Sequence, residues 1–425
     1  MDIPNDMKYF LKRMAFNRVP TRFSPLSSTN AGLSDTISCR LPSNCLLDIS
    51  SLAMFFKNTC ATTSGSRFAG FGMGSHSPIR SLQLSVGGNV ILHLNEYGKV
   101  FSALHFLTSS QDSDKSKSIL TYGTNISTTL PATADFANEM AVLEFYGLSN
   151  IQPSILDTST LNSVELHLTL HSDYQLAGGL ATASPGSLGN YSMSLSNIHF
   201  MIDVIQTDDV YRQILRESME SMSLELLIPN YFIFTSNSTN GAHSSVFTVS
   251  SQSLDALVLI PTSTETSLGV AITNDNSTYI TQNPAQFRGT DIATVSVDVN
   301  GQSVLSSISQ EEVFYTQLKC WGNQVGGRGG SLMGSLVRSN ATADGHTATH
   351  RADYVGSSFL PCVRFNEGSD PRTISGLQCR ATGGCQVSVS TVDAGVGSTA
   401  QSLTSVALCS SVLAIGAGGQ ISFTS

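Results

Sequence analysis

Residues 196–234 read SNIHFMIDVIQTDDVYRQILRESMESMSLELLIPNYFIF, and three periodicities follow one another in that stretch. From Ser196 to Ile205 apolar residues alternate, placing Ile198, Phe200, Ile202 and Val204 on one side, which predicts a half-buried strand. Thr207, Asp208 and Asp209 then offer capping oxygens and early negative charge to a helix. Over residues 208–220, Val210, Ile214 and Met219 share one helical stripe, with Arg212, Arg216 and Glu220 on the other side. Strand character returns at Leu224–Ile228 and Tyr231–Phe234, separated by Pro229-Asn230, and Ser244–Ser250 with Leu254–Ile260 makes a strand pair. The whole reads as one helix docked on an antiparallel β body.

The same text continues in both directions. Toward the N-terminus, Cys45–Ser50 and Leu82–Val86 alternate, Gly87-Gly88-Asn89 makes a turn, and residues 96–107 read as a short helix. Val164–Leu170 is the cleanest period-two run, with Val164, Leu166, Leu168 and Leu170 on one face and Glu165, His167 and Thr169 on the other. Toward the C-terminus, Pro261–Asn283 is a polar boundary or long loop. Beyond it Ile292–Val299 alternates, Asn300-Gly301 is the strongest hairpin signal, and Gln310–Cys320 has helical character. Phe359–Phe365, Gln386–Val392, Leu403–Leu408 and Val412–Phe423 supply further strands. No solenoid-type repeat is present. The expected fold class is therefore all-β, with short helices in inter-strand loops.

Composition narrows the function. The 425 residues carry Lys+Arg 22 and Asp+Glu 31, for a net charge of −9. Charged residues make up 12%, about half the usual ~25%. With 40% hydrophobic residues the chain is not a disordered solvating segment, and it suits a protein that hides much of its surface against other copies. A sequence pI of 5.4 disfavours bulk nucleic-acid binding. The first 20 residues lack the apolar stretch and small-residue cleavage site of an export signal, and no apolar run reaches the roughly 18 residues of a membrane span. The eight cysteines contain no C-x2-C pair, so reduced, buried thiols are expected rather than a zinc ribbon or a disulfide framework.

Candidate chemistry is sparse. Gly326-Gly-Arg-Gly-Gly330 lacks the lysine and hydroxyl of a phosphate loop, and His346 and His350 lack the glutamate of a metalloprotease helix. Asp203, Asp208 and Asp209 cluster, but helix capping accounts for the last two and Asp203 sits on the polar side of its strand. His167 and His171, with Asp173, offer two histidines on one polar face without a supported third ligand. No G-x-S-x-G elbow is present. The expectation is no catalytic residue, no metal and no cofactor. Residues 1–36 read as an N-terminal arm in which Lys8, Lys12, Arg13, Arg18 and Arg22 interleave with Tyr9, Phe10, Leu11, Met14 and Phe16. Such an arm suits a neighbouring subunit, a membrane surface or a nucleic acid, or packs as a strap on its own domain.

Leu41–Asp48 (LPSNCLLD), Ser51–Phe56 (SLAMFF) and Ile79–Gly88 (IRSLQLSVGG) resemble the opening strands of viral jelly-roll major capsid proteins, most of all the double jelly-roll type of adenovirus-like, polinton-like and large DNA viruses. Ile198–Phe234 resembles the helix those proteins insert between the F and G strands, and Phe359–Phe365, Ser375-Gly-Leu and Val412–Ile415 fit their closing strands. The resemblance implies jelly-roll sandwiches, two barrels in tandem: a first jelly roll over 37–265 with its F–G helix near 208–220, and a second jelly roll or strand-rich extension over 266–425. It also implies a structural, non-enzymatic capsid protein of the virion, made inside the host cell, forming homotrimers that tile an icosahedral shell. Through the arm, minor capsid proteins, an internal membrane or the genome are candidate partners; a host receptor is another. The polar loops 121–134, 236–245 and 326–350 are candidates for trimer contacts or the outer surface. The alternative is a receptor- or glycan-binding spike or fibre module, which a single tryptophan, Trp321, and 8% aromatic residues do little to support.

Overall fold

The computed structural model describes residues 17–62, 67–68, 75–76, 78–108, 136–145, 147–148, 151–159, 161, 163–171, 180–182, 191–206, 217, 224–263, 272–274, 277–281, 287, 289–321, 359–366, 374–379, 384–395, 401–415 and 421–424. Its first half contains β1 (Asn17–Phe23), β2 (Ala31–Gly32), β3 (Thr36–Arg40), β4 (Leu46–Thr62), β5 (Arg67–Phe68), β6 (Ile79–Val86) and β7 (Asn89–Asn95). Helix α1 (Tyr97–Thr108), β8 (Phe136–Glu144), β9 (Ile155–Asp157), β10 (Val164–Leu170), β11 (Leu180–Thr182) and β12 (Tyr191–Gln206) complete it. The second half has β13 (Leu224–Ser238), β14 (Ser244–Val249), β15 (Ser253–Ser263), β16 (Ile272–Asn274), β17 (Ser277–Thr281), β18 (Ile292–Val299) and β19 (Gln302–Ser309). Helix α2 (Gln310–Trp321), β20 (Cys362–Arg364), β21 (Cys385–Asp393), β22 (Gln401–Ile415) and β23 (Ile421–Thr424) follow.

The strands form two sandwiches of like construction. In the first, β1-β12-β4-β8 packs on β3-β10-β6-β7; in the second, β13-β22-β15-β20 packs on β14-β21-β18-β19. A further sheet, β16-β17-β11-β5, draws strands from both halves. Each sandwich contains a hairpin followed by a 12-residue helix: β6-β7-α1 and β18-β19-α2. The two hairpin turns match as well, with positive φ at both Gly87 (59°) and Gly88 (84°), and at Asn300 (51°) and Gly301 (76°). Two successive left-handed residues give a turn whose twist matches the strands it joins. This is a double jelly roll.

Alternation in the sequence becomes layers in the structure. Burial along β10 alternates strictly, with Val164, Leu166, Leu168 and Leu170 inside. Register sets Phe23, Phe200, Met54 and Leu143 side by side on the inner face of the opposing sheet, with Phe23 and Phe200 stacked at 5.6 Å. Helix α1 turns Tyr97, Val100, Ala103, Leu104 and Leu107 into the core at helical spacing. Helix α2 opens with a reciprocal capping box: Ser309 N–H donates to Glu312 Oε2 (2.7 Å) and Glu312 N–H to Ser309 Oγ (3.4 Å).

Three expectations change. Residues 224–263, assigned from sequence to a first jelly roll ending at 265, instead form β13, β14 and β15, which pair with β20, β21 and β22. The sheets therefore divide between Gln206 and Leu224, because hydrogen-bonded partners far along the chain, and not local pattern, decide which sheet a strand joins. Secondly, the arm read over 1–36 is partly sandwich: β1 and β2 pair with β12, and β3 with β10. Val19, Thr21 and Phe23 are the half-buried alternation that seats β1 at the sheet edge. Thirdly, Pro229-Asn230 does not interrupt β13, whose partner at those positions is Ser410-Cys409. Residues 1–16 lie outside the described residues, as does the helix read over 208–220 apart from the helical Glu217.

Candidate assembly surfaces

The arm cations separate into two groups. Lys8, Lys12 and Arg13 lie outside the described residues, whereas Arg18 and Arg22 stand on the exposed face of β1. Arg18 is committed. Its guanidinium lies 3.0 Å from Asp48 Oδ2, the Arg18 side chain 52% exposed and that of Asp48 3% exposed. Since β12 separates β1 from β4, the pair ties three strands together. Asp48 also accepts Ser50 Oγ–H (2.6 Å) and Ser50 N–H (3.2 Å), so both oxygens of the buried carboxylate are used. An aspartate inside the apolar run Leu46-Leu47-Asp48-Ile49 was the signal for this staple, and the sequence reading passed over it.

Two sheet faces point away from the two cores. On β3-β10-β6-β7 the outward rungs are Arg40–Glu165–Ser85, Ser38–His167–Gln83–His93 and Thr36–Thr169–Ser81–Asn95. On β14-β21-β18-β19 they include Thr248–Gln386, Val246–Ser388–Asp298 and Ser244–Ser390–Ser296, with Val246 and Val392 exposed. Hydroxyls and amides dominate both faces. Such surfaces meet a partner without burying unpaired ions.

The seam between the sandwiches is mainly apolar. Leu226, Ile228, Tyr231, Ala256, Val258, Ile260, Val406 and Leu408, from the sheet containing β13 and β22, join the core of the first sandwich. The other face of that sheet, with Leu254, Leu257, Leu259 and Leu403, packs in the second core. Gln152 and Leu227 exchange both backbone hydrogen bonds across the seam (3.0 and 2.7 Å), and Tyr231 Oη–H donates to the Asn95 carbonyl (3.1 Å). Lys99 on α1 donates to Thr404 Oγ1 (2.6 Å) and Thr262 Oγ1 (3.3 Å), and burial lowers its pKa to about 8 against the opposing influence of Glu96. A cavity of about 170 Å³ also lies at the seam, lined among others by Leu94, Gly147, Tyr231, Asp255, Arg364 and Leu408.

Of the residues considered for catalysis or metal binding, the described ones, His167, His171 and Asp203, form no group of three ligands. His167 is half-buried on the outward face of β10, its Nδ1 2.9 Å from Ser38 Oγ and its Nε2 3.7 Å from Glu165 Oε2. His171 is buried beyond the strand end, its pKa lowered to about 4 by burial and then by Arg80, so the two histidines do not share a polar face as the sequence suggested. The register break between Thr169 and Leu170 explains the difference. Asp203 N–H donates to Ser51 Oγ (2.8 Å). Asp173, Asp208, Asp209, Gly326–Gly330, His346 and His350 lie outside the described residues, as do the loops 121–134 and 326–350. Residues 236–245 are the end of β13, a turn and the start of β14. Among the described residues no group of three ligand side chains is placed to hold a metal, and no helix is long and apolar enough to cross a membrane.

No family model and no curated protein matches the sequence. Solved structures do match. VP54 of PBCV-1, as fitted into a reconstruction of the Sputnik virophage, aligns with a TM-score of 0.65 at 13% identity over 97% of this chain and 98% of that one. A chain of the Sputnik virophage itself aligns with a TM-score of 0.57 at 13% identity, covering 97% and 88%. The Faustovirus major capsid protein aligns with a TM-score of 0.55 at 8% identity, covering 94% and 90%. By fold, this chain is a double jelly roll of the kind found in the major capsid proteins of large DNA viruses and virophages.

Proposed function

We propose that this protein is a structural major capsid protein whose activity is self-assembly: homotrimers that tile an icosahedral shell in the virion. The observation that carries the reading is that the duplicated sandwich matches such a protein along nearly its whole length, at 94% of this chain and 90% of the Faustovirus major capsid protein. Geometry supports it. Two like sandwiches per chain become six around a threefold axis, a near-hexagonal outline that fills a plane and closes into a shell through quasi-equivalent contacts. The first jelly roll ends with β12 and the second begins with β13. The outward, weakly charged sheet faces supply contact surfaces, and the staple Arg18–Asp48 anchors the chain just after the arm.

Residues 1–16, with Lys8, Lys12 and Arg13, are the arm proper. They reach a neighbouring subunit, a minor capsid protein, an internal membrane or the genome. Synthesis in the host cell and absence of catalysis follow from the same reading. The test is negative-stain microscopy with analytical ultracentrifugation of the purified chain. Trimers, and closed or sheet-like particles at higher concentration, are the expected result. A monomer under every salt and pH condition overturns the proposal.

A further inference from the structure

One end of the second sandwich brings three thiols together. Cys379 and Cys385 are both fully buried, and with Cys409 they sit in the second core. Cys385 Sγ donates to the carbonyl of Gln378, the residue preceding Cys379, at 3.8 Å. The Cys379 thiol donates to the Leu377 carbonyl at 3.5 Å, so both thiols are turned onto the same short segment, and the Cys385 thiol lies close enough to help raise the Cys379 pKa. Both ends of this contact are held. Leu377, two residues before Cys379, exchanges backbone hydrogen bonds with Leu254 of β15 (2.8 and 2.9 Å), while Cys385 opens β21 opposite Val249. Asn300 Nδ2 donates to the Cys385 sulfur at 3.6 Å.

We propose that Cys379 and Cys385 form a buried dithiol that closes slowly to an intramolecular disulfide when the protein meets a peroxide. The thiolate of one cysteine attacks a peroxide oxygen, breaking the O–O bond to leave a sulfenic acid and hydroxide, which takes up the proton released by the thiol. The second sulfur then displaces hydroxide from the sulfenic sulfur, the S–S bond forms, and the departing oxygen leaves as water with the second thiol proton. Two thiols are oxidised and one peroxide is reduced to two waters. Burial pushes the Cys379 thiol up to about 12, which keeps it protonated and slow to react. The dithiol is therefore stable in a reducing cell and closes on longer exposure outside it. The bond ties the segment bridged to β15 directly to β21, joining the two sheets of the second sandwich. The suggestion that it hardens a shell after release rests on the assembly reading; the chemical step does not.

The test uses the purified full-length chain, before and after incubation with hydrogen peroxide under native conditions. Free thiols are then alkylated in denaturant, and the protein is digested with trypsin and chymotrypsin to cut after Arg380 and at Leu403. A linked peptide pair containing Cys379 and Cys385, loss of two alkylatable thiols, reversal by dithiothreitol and persistence in Cys409→Ser are the expected results. Alkylation of both Cys379 and Cys385 after peroxide, or linkage of either to Cys409 or to another chain, overturns the proposal. The readout on the unsubstituted chain needs no variant to fold. It is also independent of whether trimers form, so its failure is distinguishable from failure of the assembly reading.

Discussion

Replacing Lys99 by methionine tests how dry the seam between the sandwiches is. The ammonium is half-buried on α1 and hydrogen-bonded to two threonine hydroxyls of the second sandwich, and burial lowers its pKa from 10.5 to about 8. A lowered lysine pKa means that the unfolded chain binds more protons between pH 8 and 10.5, so this residue makes stability rise with pH across that window. Below pH 8 both states are protonated and the full cost of holding the charge remains. The shift sets an upper limit of about 3 kcal/mol on that cost, and solvent reaching the exposed part of the side chain reduces it to about 1–2 kcal/mol.

Methionine keeps the aliphatic bulk. Thr262 retains its bond to the Ser402 carbonyl (3.3 Å), while the buried Thr404 hydroxyl loses the lysine at a cost of about 0.5–1 kcal/mol. K99M is therefore expected to be more stable than the parent by about 1 kcal/mol at pH 7, with the advantage gone by pH 10.5. The assay is thermal unfolding of both proteins at intervals from about pH 6.5 to 10.5. Because other thiols and phenols titrate there, the quantity read is the difference between the two midpoints, about 1–3 °C at neutral pH and shrinking above pH 8. Parallel profiles across the window would show that the ammonium is solvated at the seam and refute the reasoning.

Two further experiments probe the frame. Arg18→Met should loosen β1 and lower stability by about 1–2 kcal/mol, and a double-mutant cycle with Asp48→Asn in urea should return a coupling of similar size; additive effects would mean that β1 is held by its strand pairing alone. Gly241→Ala would place a methyl 1.6 Å from the Asp291 carbonyl oxygen, a collision with backbone, so it should lower soluble yield and unfold the second sandwich at lower denaturant, whereas Gly301→Ala meets no atom and strains only a φ of 76°. Equal unfolding midpoints for the two alanine variants would count against the close approach at Gly241.

The same holds for surfaces as for strands: what one residue does depends on which others it meets. Composition foretold a weakly charged exterior, and the arm's cations were visible as a cluster, but Arg18 looked like a free cation until folding brought it within 3.0 Å of Asp48. The contacts of Lys99 with Thr262 and Thr404, and of the Cys385 thiol with the Gln378 carbonyl beside a bridge to Leu254, likewise exist only once distant strands are in register.

Much of this protein was nonetheless decided by residue order. Period two in Val164–Leu170 forces a strand with one apolar face, Gly87-Gly88 and Asn300-Gly301 permit the two tight hairpin turns, and the spacing over residues 96–107 and 310–320 makes helices. Those are local events, set by a side chain's reach along its own segment. Partnership was not local. Residues 224–263 read correctly as strands, yet nothing in them says that their hydrogen bonds go to residues 401–415. Nor does the unbroken apolar run Ala256–Ile260 say that its own sandwich covers one face and the first sandwich the other. A segment's periodicity records which way its side chains point. Which other segment they meet depends on chain entropy, sheet pairing and burial summed over the whole molecule, and that is settled only when the sandwiches close.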